Sequence, residues 1–318
     1  MGQITKKFTN EIIKEMKKYY TNSLESTPQG AVFRARTDGI VITAYNSGKV
    51  LFQGARPEME VEKWQGRHSE VEKGSKVNVQ LPLFDHKSTY HPPKTLFTES
   101  HIGSDESGTG DYFGPITTCA VYIKKEQFSQ LKEMGIQDSK TISDETIRKL
   151  SKELVKLNIP YSLMILHNEK YNQLQGQGWS QGKMKAMLHQ SVIESLLKKI
   201  DGSPYEGILI DQFCNPPIYR NHLLSEGKFL AEKTFFMTKA EDYSIAVAAG
   251  SVIARASFLK EMDRLSQKVG FTLLKGASQQ VDRRAAEIIR TKGEAVLPHI
   301  AKVHFANTKK AKKYLSFK

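Results

Sequence analysis

A mixed α/β fold is predicted for most of this 318-residue chain, with a small α+β domain ahead of it. Three observations carry that reading. From about residue 96, short apolar runs alternate with longer amphipathic stretches. Ahead of residue 66, one amphipathic stretch leads into three strand-like runs separated by turn residues. Between the two lies a stretch dominated by Gly, Ser, Lys, His and Glu, closed by His91-Pro92-Pro93, which reads as a linker of low order. The expected division is residues 1–66, a linker at 67–94, and a larger domain at 95–318.

The small domain opens with a helix. Phe8, Ile12, Met16 and Tyr19 or Tyr20 recur at helical spacing and predict a helix over residues 8–21. Ala31 to Arg36, Ile40 to Tyr45 and Lys49 to Gln53 read as an antiparallel meander, with turns at Thr37-Asp38-Gly39 and Asn46-Ser47-Gly48. Arg56-Pro57 opens a short helix that ends near Trp64. Arg34, Arg36, Tyr45 and Lys49 on this sheet suit either a nucleic-acid surface or a solvated scaffold face.

In the larger domain, strands are predicted at 99–105, 116–123, 161–167, 207–212 and 233–237. Helices are predicted at 125–134, 143–157, 184–200, 243–266 and 279–291, with Asp144 and Ser278 at N-cap positions. The first two strands are joined by a glycine-rich turn, which predicts an antiparallel start. The later alternation of strand and helix predicts parallel additions.

Composition narrows the function. A hydrophobic fraction of 39% supports a core, the mean hydropathy is −0.45, and no apolar run reaches membrane-spanning length. The first residues lack the apolar centre of a secretory signal, and Lys6 stands where a myristoylation motif needs Ser or Thr. Cys119 and Cys214 have no cysteine neighbour at metal spacing, so a reduced, cytoplasmic protein with two structural thiols is expected. The formal net charge is +13, and the residues from 290 onward carry about half of it, interleaved with Phe305, Tyr314 and Phe317. That pattern suits a polyanionic backbone as partner.

The chemistry-bearing stretch is Gly103-Ser-Asp105-Glu106-Ser-Gly108-Thr109-Gly110-Asp-Tyr-Phe-Gly114-Pro115. Two adjacent carboxylates stand at the end of a strand, and glycines that allow close backbone approach follow at once. Acid pairs and Gly-x-Gly turns are also ordinary surface features. The glycine spacing is not that of a dinucleotide loop, and no G-x-x-x-x-G-K-[ST] occurs. Asp211 ends the apolar run Ile208-Leu-Ile, and Glu241 opens the small-residue helix that follows Lys239. An isolated Asp211 reads as a turn residue, and an isolated Glu241 as an acid favoured at a helix start. Jointly, strand-end and helix-start acids can meet at one edge of a sheet. Four carboxylates at close range cannot all stay ionised without counter-charge. Two Mg²⁺ ions, or Mn²⁺, would supply it and would suit two-metal phosphodiester hydrolysis.

These residues carry a family resemblance. The chain resembles the type 2 ribonucleases H, and within them bacterial ribonuclease HIII. The first motif, Asp138-Ser-Lys140, Lys170-Tyr-Asn172, Lys183 to His189, Ile210-Asp-Gln-Phe213, Thr238-Lys-Ala-Glu241, Ala248 to Arg255, Gly276-Ala-Ser278 and Ile300 to Thr308 all match in order. The segment Ala44 to Gly54 is similar to the TBP-like substrate-binding domain of that subgroup. Thr109 in place of Arg, Glu241 in place of Asp, and the N-terminal domain separate the chain from ribonuclease HII. Ser107 and Gly250 depart from the usual HIII residues, and neither removes a candidate ligand.

The resemblance implies a ribonuclease H-like mixed sheet flanked by helices. It also implies cleavage of the RNA strand of RNA–DNA hybrids, with Asp105, Glu106, Asp211 and Glu241 as catalytic metal ligands. Gly108, Thr109 and Gly110 are expected to lie along the RNA strand, where the 2′-hydroxyl distinguishes RNA from DNA. Lys140, Lys239 and Arg255 are candidate substrate contacts; for both lysines a plain surface role competes, and His304 stays outside the catalytic set. Ser251 reads as core packing, with support of the site as the alternative. A monomer without an obligate protein partner is the default expectation. The alternatives are cleavage at single ribonucleotides, as in ribonuclease HII, and a non-catalytic hybrid-binding protein.

Overall fold

The structure is a computed structural model that describes residues 2–28, 30–37, 39–54, 57–65, 90–136 and 142–316. Most of the expected linker at 67–94, together with Arg56 and Lys140, lies outside the described residues. The chain divides into two units, Met1–Pro82 and Leu83–Lys318.

The first unit contains β1 (Gly2–Lys7), α1 (Asn10–Tyr19), β2 (Leu24–Glu25), β3 (Ala31–Thr37), β4 (Ile40–Tyr45), β5 (Lys49–Gly54) and α2 (Pro57–Gln65). Its strands form one antiparallel sheet in the order β1-β5-β4-β3-β2. The first strand is a departure from the sequence reading. Six residues beginning Gly-Gln-Ile-Thr hold too little alternation to declare a strand, and pairing with β5 supplies what they lack. The helix begins two residues later than expected because Thr9 caps it, its Oγ1 accepting from the Ile12 N–H. Phe33, Ile42, Phe52, Met16 and Trp64 fill the core. Within it the Tyr20 hydroxyl donates to Glu60 at 2.5 Å and accepts from Trp64 Nε1 at 2.7 Å. Arg34 and Arg36 both pair with Glu25, at 3.2 and 2.5 Å, so part of the basic sheet surface is neutralised within the unit.

The second unit contains β6 (His101–Ser107), β7 (Ile116–Ile123), α3 (Phe128–Glu133), α4 (Asp144–Lys156), β8 (Tyr161–Leu166), α5 (Asn168–Gly176) and α6 (Gln181–Lys199). It continues with β9 (Ile208–Asp211), α7 (Pro216–Leu224), β10 (Thr234–Met237), α8 (Ile245–Val269), α9 (Gln279–Lys292), α10 (Leu297–Ile300) and α11 (Ala306–Ser316). The sheet order is β10-β9-β6-β7-β8. As expected, β6, β7 and β8 pair antiparallel, while β9 and β10 add in parallel to β6. The N-cap of α4 is Ser143, not Asp144; the serine hydroxyl accepts from Thr146 N–H, which frees Asp144 for other partners.

α8 lies against one face of the sheet and α6 against the other. The α8 packing explains its run of small residues. A Cβ on Gly103 would fall 2.1 Å from the Val247 nitrogen, and one on Gly250 would fall 3.3 Å from the Cys119 carbonyl oxygen. Helix and strand therefore touch backbone to backbone at β6. Ala246, Ala248, Ala249, Val252 and Phe258 join Cys119 and Val121 in the main core on that side. Ala186, Val192, Ile193, Ile208, Ile210 and Tyr219 form the core on the other side. No described helix is long and apolar enough to cross a membrane.

Candidate active site

β6 sends alternate side chains to opposite faces of the sheet. Gly103 and Asp105 face α8, where Ser251 hydrogen-bonds Asp105. The sequence reading favoured packing over support of the site for Ser251; the structure adds this bond. Ser104 and Glu106 face α6. There Ser104 Oγ lies 2.7 Å from His189 Nδ1, and Glu106 accepts from His189 Nε2 and Lys185 Nζ, each at 2.7 Å. Ser104 also donates to the Cys119 carbonyl at 3.1 Å. His189 thus bridges Ser104 and Glu106 through its two ring nitrogens. Lys185 further sits 3.8 Å from the centre of the Phe213 ring, and His189 stacks on the same ring.

Asp211 arrives from the neighbouring strand. Ser104 is in register with Ile210, so Asp105 and Asp211 follow at one level on parallel strands. Beyond β10 the chain turns at Lys239, whose φ of 56° is in the left-handed region. The turn brings Ala240 N–H to Asp211 Oδ1 at 2.9 Å and the Glu241 side chain into a hydrogen bond with Asp211. Glu241 does not open the long helix, as the sequence suggested. It sits in a separate single turn, Ala240–Asp242, because Ser244 caps α8 by accepting from Val247 N–H.

Burial and like charge set the electrostatics. Burial, then the Glu106 and Asp211 carboxylates, push Asp105 well above the usual carboxylate range. Burial also raises Asp211 to about 6; Ala240 N–H opposes the rise, while Glu241 and Glu106 add to it. Burial would raise Glu106 too, but the His189 hydrogen bond and charge, with Lys185, hold it down at about 2. The cluster is thus short of positive charge on the Asp105–Asp211 side and supplied with it on the Glu106 side.

A hard divalent cation fits this donor set. The groups are carboxylate oxygens, and two of them are held toward the protonated form by burial among other acids, a cost that a cation offsets. Glu106, however, is drawn to the opposite face from Asp105. Among the described residues no three acidic, His or Cys side chains are already gathered as a set of ligands. The expected close convergence of all four acids is therefore seen as electrostatic contact and not as a closed ligand shell.

The other expected residues divide. Gly108 has φ of 88°, and a Cβ there would lie 2.2 Å from the Pro115 carbonyl and 2.7 Å from the Phe258 ring, so only glycine fits. The Thr109 carbonyl accepts from Gln181 Nε2 at 3.1 Å, and Gly110 opens onto free space. Lys239 is exposed at the turn. Arg255 has its guanidinium on Asp144 at 2.8 Å, and Lys275 pairs with the same carboxylate. His304 stacks on Tyr171. Sequence reasoning missed the functions of Lys185 and His189. Their signal was a lysine and a histidine one turn apart on a helical face otherwise made of Met184, Leu188 and Val192.

Known proteins share this arrangement of elements. Residues 102–308 match the family Ribonuclease HII. The chain belongs to the type 2 ribonuclease H family, on its HIII branch. Ribonuclease HIII of Oceanobacillus iheyensis is 54% identical over 96% of this chain and 97% of its own length. Ribonuclease HIII of Bacillus pumilus is 48% identical over 99% of this chain and 100% of its own. A crystal structure of Bst-RNase HIII in complex with Mn²⁺ aligns over 100% of both chains, with 36% identity and a TM-score of 0.67. Residues 3–77 match a domain of unknown function (DUF3378), so the N-terminal unit is itself a recurrent domain. Membership of the family makes this chain a ribonuclease H enzyme.

Proposed function

We propose that this chain is a divalent-metal-dependent endonuclease that cuts the RNA strand of RNA–DNA hybrids, leaving 5′-phosphate and 3′-hydroxyl ends. The observation that carries the reading is the pairing of buried Asp105 with half-buried Asp211 on adjoining parallel strands, with Glu106 and Glu241 acting on it electrostatically. A protein with an excess of basic residues gains nothing from burying acids near a phosphate backbone unless a cation joins them.

Asp105, Glu106, Asp211 and Glu241 would hold the ions, Mg²⁺ in the first instance and Mn²⁺ as the substitute. When bound, the metal supplies a nucleophilic water and stabilises the leaving oxygen. The protein's own groups do the rest. Ser251 and the Ala240 N–H fix the carboxylates of Asp105 and Asp211. Lys185 and His189 keep Glu106 ionised. The backbone of Gly108, Thr109 and Gly110 lies along the RNA strand. Lys239, exposed at the turn before Glu241, reaches a phosphate, as does Lys140. Residues 1–66 hold the hybrid as a substrate-binding domain, and 67–94 link them to the catalytic domain at 95–318. The enzyme works as a cytoplasmic monomer.

The test is cleavage of a labelled duplex panel with Mg²⁺ and with EDTA. Cutting of the full hybrid alone, and only with metal, is the expected result. Efficient cutting of a DNA duplex with one ribonucleotide would move the assignment to ribonuclease HII-like activity. Tight hybrid binding without cutting would leave a binding protein.

A further inference from the structure

Lys302 is fully buried, yet both acceptors of its ammonium are main-chain carbonyls. Nζ donates to the Asp111 carbonyl at 2.8 Å and the Gly114 carbonyl at 2.7 Å, across nearly two hundred residues of chain. Both carbonyls belong to the glycine-rich loop that leaves the acids of β6. The backbone around Lys302 is laced to the same loop. Gly114 N–H donates to Ile300 O at 2.9 Å, Lys302 N–H donates to Tyr112 O at 2.8 Å, and Phe113 bridges Ala301.

A second anchor works from the other end. Gln181 Nε2 donates to Thr109 O at 3.1 Å and to the Tyr171 hydroxyl at 3.0 Å. The Tyr171 ring lies 5.8 Å from the Lys302 ammonium, so one aromatic ring underlies both anchors. Asn168 adds a third bond, to Gly114 O at 2.8 Å. The buried hydroxyl of Thr109 has no hydrogen-bond partner among the described residues and belongs to the segment so held.

Amides such as Asn168 already satisfy loop carbonyls here without charge. Burying an ammonium for that purpose alone is costly, because a desolvated cation needs strong compensation. Burial pulls Lys302 down to about 7, against the opposing influence of Asp111, which registers that cost. A positive charge beneath the loop, in a low-dielectric setting, complements a phosphate backbone lying above it.

We propose that Lys302 is a positioning residue for substrate recognition: by fixing the Asp111 and Gly114 carbonyls it sets the level at which the Gly108–Gly110 backbone meets the ribose of the RNA strand. The proposal rests on the hybrid-cleaving function stated above. Lys302 touches neither metal nor scissile phosphate in this role, so it acts on substrate capture and not on the chemical step.

The experiment compares wild type, Lys302→Met and Lys302→Gln on a labelled RNA–DNA hybrid, with an all-DNA duplex as competitor. Wild-type cutting is measured first; if it is absent, the functional reading fails and Lys302 is not at issue. Given wild-type cutting, Lys302→Met raises KM for the hybrid about tenfold, leaves kcat within about threefold, and binds the DNA competitor relatively better. Lys302→Gln, whose shorter, uncharged amide keeps two N–H donors, falls between, at about threefold in KM. The metal concentration giving half-maximal rate stays the same in both. An unchanged KM, or a loss confined to kcat, overturns the proposal. Should Lys302→Met fail to fold, Lys302→Gln decides: a raised KM supports the proposal and a wild-type KM overturns it.

Discussion

At the scale of single residues, the site is a contrast between two carboxylate environments. Asp105 is the acid most deprived of positive charge, so replacing it should remove chemistry before binding. Asp105→Asn is expected to abolish cleavage of the hybrid while its dissociation constant, measured by fluorescence anisotropy in Ca²⁺, stays within about threefold. Asp211 gives a pH-dependent prediction. Its folded value of about 6 lies above the ordinary 3.8, so the folded state holds the proton longer than the unfolded state. Stability from this group is therefore lost as pH rises from about 4 to about 6, and the whole penalty remains above that. Asp211→Asn keeps an acceptor for Ala240 N–H and removes the penalty. Metal-free melting at pH 7.5 should show it about 1–2 kcal/mol more stable after allowance for solvent screening, with no gain at pH 3.5. Equal stability at both pH values would contradict the electrostatic account. Glu106 has the opposite sign. Its value of about 2 lies below the ordinary 4.5, so its stabilisation is present above about 4.5 and disappears as pH falls toward 2. His189→Ala removes one of the two partners that hold Glu106. It should cost about 1–3 kcal/mol at pH 7 and move acid unfolding to higher pH. Unchanged acid unfolding would show that Lys185 alone suffices.

The acids themselves were legible because each ends or follows an apolar run. Their partners were not, since Lys185 and His189 sit on α6, some eighty residues from Glu106, and only the packing of that helix on β6 joins them. Asp144 was misread as a cap because Ser143 before it competes for the same N–H groups. Once displaced, its carboxylate took up Arg255.

At the scale of elements, β6 and α8 are one device. A strand that must present Asp105 and Glu106 to opposite faces can be held level only if the helix beneath it comes within backbone contact, and Gly103 permits that approach. Gly103→Ala would drive a Cβ into the Val247 nitrogen and the Ala246 carbonyl carbon at 2.1 and 2.3 Å, neither of which can swing aside. A loss of about 3 kcal/mol in urea unfolding is expected, with activity falling further than stability because Asp105 moves too. The long periodic helices and the apolar strands were read correctly from the sequence. The missed elements, β1, β2, α5, α7, α10 and α11, are short, polar or both, and their stability comes from tertiary pairing that periodicity does not reveal.

At the scale of the whole molecule, the two-part organisation follows composition. Each part buries its own aromatic and aliphatic core, around Phe33, Phe52 and Trp64 in one and around α8 in the other. The four acids lie in the second part, so removing residues 1–90 should weaken hybrid binding about tenfold or more and leave kcat at saturating substrate within about threefold. The salt dependence of binding should become shallower in proportion to the phosphates that the N-terminal unit no longer neutralises. A truncated chain with no turnover at saturation would place part of the chemistry in the N-terminal unit.

The loop that follows β6 is made early in synthesis, whereas the segment that pins it, Ile300 to Lys302, is made late. A nascent chain emerging from the ribosome therefore carries Asp105 and Glu106, then Asp211 and Glu241, before the loop gains the last of its anchors. If Lys302 positions that loop as proposed, a chain ending before Ile300 should bind the hybrid more weakly than the full chain, even with the Asn168 and Gln181 bonds in place.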